Sequence, residues 1–258
     1  MQPSHISQTT ERAGEPVTDE QILRNYSRYA WARQYCRDKR VLEIACGTGQ
    51  GLGLLMDVAQ SLVVTDIDRM HIGQVRNRYG GRAKTILAKP SALPLATATA
   101  DIVVIYEALY FFADLDAVVE EVKRVLARPG CLLLSLPNKD MVDFSPSPYA
   151  VRYFGAADLG RYLTSFGFDV SVFGDFPTSN RGLGDKARTM LKWAANSSGI
   201  FPHSLRAKNA LKRLFFGPLK SMPEVLTYGS YDVRPPSPLT AREPDREHKV
   251  LLAHAAIG

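Results

Sequence analysis

Gly47 and Gly49, separated by Thr48, follow directly on the apolar run Val41–Ala45, and a helical pattern starts right after them. Glycine lets the backbone approach a ligand closely, and a helix N-terminus beside it offers free N–H groups. A second apolar run ends in Asp66, 17 residues beyond Gly49. In a doubly wound fold an acid at that place accepts hydrogen bonds from ribose hydroxyls, and ligands sit at the carboxyl ends of the strands where strand order reverses. The chemistry predicted is the binding of a nucleoside ligand. A dinucleotide would require a glycine at position 52 to complete G-x-G-x-x-G; that residue is Leu52. A dinucleotide oxidoreductase, and a glycine turn in a sugar- or protein-binding α/β domain, stand as alternatives.

The elements that must hold these residues alternate between strand and helix. A polar tail, 1–17, is expected to be disordered. Thr18-Asp-Glu-Gln reads as a capped helix start, and the helix runs to about Cys36 with Tyr26, Tyr29, Trp31 and Tyr35 along it. Strands follow at 41–45, 61–65, 84–88, 101–106 and 131–136, with helices near 50–59, 69–79 and 115–127 between them. Arg128-Pro129-Gly130 reads as a sharp turn. A helix at 155–166, a strand at 169–173 and a last strand-like run at 248–255 complete the pattern. Runs apolar on both faces are the mark of parallel strands covered on both sides. The fold class expected is α/β: a doubly wound, Rossmann-like sheet of seven strands, mostly parallel, with helices on both faces.

Size and composition agree with this. A chain of 258 residues, 45% hydrophobic, builds one sizeable α/β domain with an insertion. No stretch approaches the ~18 apolar residues of a spanning helix. Met1–Pro16 lacks an apolar signal core, so a soluble, cytoplasmic protein is expected. Cys36, Cys46 and Cys131 fit no zinc spacing, the histidines at 5, 71, 203, 248 and 254 do not cluster, and no metal is expected. Between Arg181 and Lys220 nine Lys or Arg face one acid, Asp185, although the whole chain carries only +6.

The motifs together resemble the class I S-adenosylmethionine-dependent methyltransferases over residues 20–175. Val41–Gly49 resembles that family's first motif and Val64–Asp68 its second. Leu93-Pro-Leu95 with Ala100–Val104 resembles the adenine segment and fourth strand, and Val122–Gly130 the helix and turn before the fifth. Glu43, within the first strand, reads as a polar floor for the amino and carboxylate ends of S-adenosylmethionine, acting through water, and the resemblance implies that Ala45, Gly47, Thr48 and Gly49 line its methionine end. Asp66 would hold the ribose hydroxyls, Ile67 would pack on adenine, and Ser91, Ala92 and Leu93 would border it. Tyr106 would sit near the methionine end, and Tyr26 and Tyr29 on a helix closing over the cofactor. It also implies that the last strand is antiparallel. The chain departs from the family at Lys89, where many members carry an adenine-accepting Asp; a lysine only donates.

Methyl transfer mainly requires the acceptor to be positioned, and a hydroxyl acceptor also needs a base. Related enzymes often carry a histidine soon after the fourth strand. Here Tyr110 stands near that place, and Glu107, Tyr110 and Asp143 are the candidate catalytic residues. Ser147-Pro-Tyr149 with Arg152-Tyr-Phe154, and Leu211–Leu219, resemble methyltransferases of bacterial sugar and surface-polysaccharide gene clusters, which makes a small-molecule or saccharide-like acceptor the expected partner. The domains expected are a tail at 1–17, a core with a capping helix at 18–176, a basic helical insertion or lid at 177–246, and the last strand at 247–258. Within the insertion 186–196 and 205–216 read as amphipathic helices, fit to cover the acceptor, to dock on an anionic membrane surface or to bind a polyanion. No nucleic-acid module is present, and nucleic acid is not expected. From another functional class, a non-catalytic protein that keeps the fold and binds a nucleoside ligand is the alternative.

Overall fold

A computed structural model describes residues 12–178, 218–240 and 242–258. Five α-helices and a mixed sheet organise these described residues. Thr18 caps helix α1, Asp19–Cys36: its side chain accepts from Gln21 N while the Gln21 side chain accepts from Thr18 N. Nine buried residues, polar Asn25, Ser27 and Arg28 among them, mark α1 as packed on more than one side. Strand β1, Arg40–Ile44, leads through the glycine turn to α2, Leu52–Met56. Then come β2, Ser61–Asp66, α3, Arg69–Tyr79, β3, Lys84–Leu87, and β4, Ala100–Tyr106. Helix α4, Leu115–Val125, runs into β5, Leu126–Pro137; α5, Ala156–Ser165, precedes β6, Asp169–Pro177. Strands β7, Ser237–Leu239, and β8, His248–Ile257, finish the chain.

The sheet order is β3-β2-β1-β4-β5-β8-β6-β7. Strands β1 to β5 pair in parallel, and β8 runs antiparallel between β5 and β6. Chain order reverses between β1 and β4, so the crevice at their carboxyl ends is the switch point. Alternation along β1 divides the core. Val41 packs with α1, α2 and α3, while Leu42 and Ile44 pack with α4 and α5. Glu43 shares the face of Val41, beneath α1.

Four expectations change. The sheet has eight strands, not seven, because β7 pairs antiparallel with the edge of β6. Pro238 within it is tolerated, as a proline can be on an edge strand. The helix expected at 50–59 contracts to five residues, with Gly51 as its N-cap. The 128–130 turn is taken into β5, which pairs Leu126 with Ala100 before a register shift. The expected tail is tied down before residue 17: Pro16–Val17 pairs antiparallel with Lys220–Ser221. Residues 1–11 and the amphipathic segments 186–196 and 205–216 lie outside the described residues. Among the described residues no helix is long and apolar enough to cross a membrane, and no cluster of three or more His, Cys, Asp or Glu could hold a metal. Cys36, Cys46 and Cys131 are buried and unpaired.

Candidate cofactor site

Left-handed backbone concentrates at the switch point. Ala45, Gly47 and Gly49 after β1 have φ of 60°, 55° and 75°, and Glu107 after β4 has φ of 51°. Such conformations cost a non-glycine residue energy and persist where the surroundings over-determine them, typically at functional sites. The turn is pinned by Asp66 at the end of β2, whose Oδ2 accepts from Gly47 N at 2.8 Å while Oδ1 accepts from Asp68 N at 2.8 Å. A Cβ built on Gly47 would meet nothing within 4 Å, so the turn is open there. Gly49 is packed instead, against Val75 and Leu52. Thr48 is buried under the N-terminal segment: its Oγ1 accepts from Ala13 N at 3.1 Å, and its carbonyl accepts from Arg78.

The floor of the site is a buried carboxyl. Glu43 is 1% exposed. Its Oε1 accepts from the Tyr29 hydroxyl at 2.5 Å, and its Oε2 is buried with no hydrogen-bond partner among the described residues. Burial raises its pKa from 4.5 to about 8, against the hydrogen bond from Tyr29 and the charge of Arg28, which lower it. Tyr29 reaches Glu43 because of Gly51. A Cβ there would overlap the Tyr29 ring, although Gly51 itself has an ordinary φ of −88°. No sequence signal marks this third glycine, since the dinucleotide spacing looks one residue further on. Beside Tyr29, Tyr106 packs edge-on at 5.2 Å and donates to Arg28 O at 3.1 Å. Tyr26 is buried next to Tyr231 and accepts from Gly229 N at 2.9 Å, anchoring the 218–231 segment on α1.

Ile67 just after β2, Met70 in the first turn of α3 and Leu87 at the end of β3 are 42%, 48% and 44% exposed, an apolar face at the place expected for adenine. The bordering loop is held from outside. Glu121 accepts from Leu93 N at 2.6 Å, and Arg124, paired with Glu121, donates to the carbonyls of Leu93 and Leu95. Leu93 is buried, Ser91 and Ala92 are exposed, and Lys89 bridges to Ala92 through backbone with its side chain exposed. Glu121 and Arg124 are a supporting pair; Arg124 lies within the Val122–Gly130 motif, but no sequence signal marked Glu121 or their pairing.

On the far side of the crevice the structure brings Glu107 and Tyr110 together. Glu107 Oε2 accepts from the Tyr110 hydroxyl at 3.0 Å, Oε1 accepts from Ser135 Oγ at 3.1 Å, and Arg28 Nη1 stands 3.8 Å from Oε1. Tyr110 stacks on Tyr153 at 4.9 Å, and Phe144 meets Tyr153 edge-on. Asp143 is half-buried in the loop after β5, next in sequence to Phe144. Arg28 and Ser135 join this group without a sequence signal, because α1 and β5 deliver them from far along the chain.

Residues 42–134 match the sequence profile of a methyltransferase domain. A probable S-adenosylmethionine-dependent methyltransferase of Mycolicibacterium smegmatis is 32% identical over 176 residues, 65% of this chain and 67% of that one. The chain belongs to the class I S-adenosylmethionine-dependent methyltransferase family. A probable S-adenosylmethionine-dependent methyltransferase of Mycobacterium tuberculosis (strain H37Rv) is 34% identical over 148 residues, 55% of this chain and 53% of that one, so the matched region spans about half of that relative. Among solved structures, a SAM-dependent methyltransferase from Thermotoga maritima covers 91% of both chains with a TM-score of 0.57 at 14% identity, a likeness of fold.

The methyltransferase cofactor is S-adenosylmethionine, and the residues present fit it. The unpartnered Glu43 Oε2 suits an ammonium group, Gly47 leaves the backbone open, and Ile67, Met70 and Leu87 offer an uncovered apolar face. Folded Glu43 holds its proton more tightly than unfolded Glu43, so its contribution to stability is full below about pH 4.5 and is lost as pH rises through about 8. Glu43→Gln should therefore gain stability relative to wild type between pH 5 and 9 in urea unfolding; a difference independent of pH would contradict this. Gly51→Ala should cost about 1–3 kcal/mol by the same measurement, and less in a Tyr29→Leu background, because the cost comes from the Tyr29 ring.

Proposed function

We propose that this protein methylates a small-molecule or saccharide-like acceptor, with S-adenosylmethionine as methyl donor. The observation that carries the reading is the unpartnered Oε2 of Glu43 beneath the open glycine turn. Oε2 is one of several buried side-chain polar atoms without a partner among the described residues, and it is a carboxyl oxygen at the strand end that leads into the turn, where an ammonium group would satisfy it. S-adenosylmethionine, when bound, supplies an activated methyl group. Glu43 would face its ammonium group, Asp66 its ribose, and Ile67, with Ser91, Ala92 and Leu93, its adenine. Tyr26 and Tyr106 act on this end by positioning α1, and Thr48 by fixing the turn.

Glu107 is the residue best placed to take a proton from the acceptor. It follows β4 at the crevice, and its carboxylate is oriented by Tyr110 and Ser135, with Arg28 close to one oxygen. A base held in one orientation needs no reorganisation when the proton moves. Asp143 is assigned to the acceptor wall, in the same loop as Phe144 and Tyr153. An open depression of about 410 Å³ lies between the loops after β4 and β5, lined by Phe112, Asp114, Asp116, Val151 and Arg152 among others. Two carboxylates and a guanidinium beside Phe112 and Val151 suit a hydroxyl-rich ligand of modest size. The non-catalytic alternative is not favoured, since the relatives are named as methyltransferases.

S-adenosylhomocysteine should bind the wild-type chain in calorimetry while NADH does not. Glu107→Gln should keep that binding and lower turnover about a hundredfold or more, scored as S-adenosylhomocysteine released on a panel of free and nucleotide-linked sugars and small hydroxy compounds. Glu107→Gln turnover equal to wild type would remove Glu107 as the base, and NADH binding in place of S-adenosylhomocysteine would overturn the cofactor assignment.

A further inference from the structure

Below the ribose end of the site lies a buried imidazole. His71, in the first turn of α3, is 4% exposed. Its Nδ1 stands 3.4 Å from Asp66 Oδ1 and its Nε2 4.0 Å from Asp68 Oδ2. Neither ring nitrogen makes an aligned hydrogen bond among the described residues, and both are buried. Asp68 is otherwise engaged, as the N-cap of α3: its Oδ1 accepts from Met70 N at 2.7 Å. Asp66 takes one backbone N–H on each oxygen, which leaves each oxygen a further lone pair.

Packing alone would be met by an aliphatic side chain here, since His71 sits beside buried Ile72 and Val75 on an otherwise apolar helix face. An imidazole instead brings two polar nitrogens into a place where neither is satisfied, which is costly unless they act on a neighbour. The neighbour in reach is the carboxylate already tied to the glycine turn. In either protonation state the ring has at least one N–H to give.

We propose that His71 is a positioning residue for Asp66, and that through it the site tells a ribose from a 2′-deoxyribose. This rests on the cofactor reading above. A small rotation of the ring turns the 3.4 Å approach into a donated hydrogen bond, which fills the second lone pair of Oδ1 and fixes the carboxylate plane, so that the free lone pair of Oδ2 is held toward the 2′-hydroxyl. With the donor removed, Asp66 keeps its backbone bonds but loses the restraint that aims Oδ2.

The probes are S-adenosylhomocysteine and its 2′-deoxyribose analogue, titrated calorimetrically into the full chain. Wild type should prefer the ribose form. His71→Leu should weaken S-adenosylhomocysteine about tenfold and the deoxy analogue much less, so that the preference shrinks. His71→Asn, whose amide nitrogen falls near the place of Nδ1, should recover most of the preference; His71→Gln, which reaches toward the place of Nε2, should not. These two polar variants also keep the comparison valid if His71→Leu folds poorly. Equal losses for both ligands, no loss, or rescue by Gln as good as by Asn would each overturn the proposal. Wild-type protein that bound neither probe would remove the cofactor reading and this inference with it.

Discussion

The Tyr29 ring lies where a side chain on residue 51 would otherwise be, and its hydroxyl meets Glu43 under the sheet's switch point. Much of the site hangs on that contact. It sets how closely α1 approaches the turn, since a Cβ at Gly51 would overlap the ring. It satisfies one oxygen of a carboxyl that burial would otherwise leave wholly unpaired, and leaves the other for a ligand. It also fixes the neighbours of Tyr29: Tyr106 packs on its ring and Arg28 precedes it on the helix, so the same contact reaches Glu107 through Arg28.

The two halves of the crevice are built by different means. The cofactor half is mostly backbone, with glycines, left-handed turns and N–H groups held by Asp66, which suits a ligand read by close approach. The half proposed for the acceptor is side chains: a carboxylate between two hydroxyls and a stack of aromatic rings carried on the loops after β4 and β5. Loops accept such variation while the sheet holds the geometry, and so one fold serves many acceptors.

What could be read from the sequence follows the range of the interactions involved. The capped start of α1 at Thr18, the turn at Gly47 and Gly49, and the acid at Asp66 are local patterns, and the structure has them where the residues put them. Gly51 carries no such pattern because its reason is a ring contributed by a distant helix, not its own dihedral angle. Arg28, Ser135 and Glu121 carry no local signature; only tertiary packing brings them to the site. The extra strand Ser237–Leu239 is three residues long with a central proline, which sequence patterning reads as a break rather than an edge. The helix expected at 50–59 is shorter in the structure because Gly51 and Gly53 weaken it at its start.

The proposed floor of the cofactor site is Glu43, whose raised pKa of about 8 keeps it protonated at pH 7. The most direct measurement is calorimetry of S-adenosylhomocysteine binding at pH 7 in phosphate and in Tris, buffers of different ionisation enthalpy. An ammonium group arriving beside Glu43 favours its charged form, so binding should release up to about one proton, seen as a difference in apparent enthalpy between the buffers and abolished by Glu43→Gln. Equal enthalpies in the two buffers for wild type would contradict it, and would place the cofactor's charged end away from Glu43.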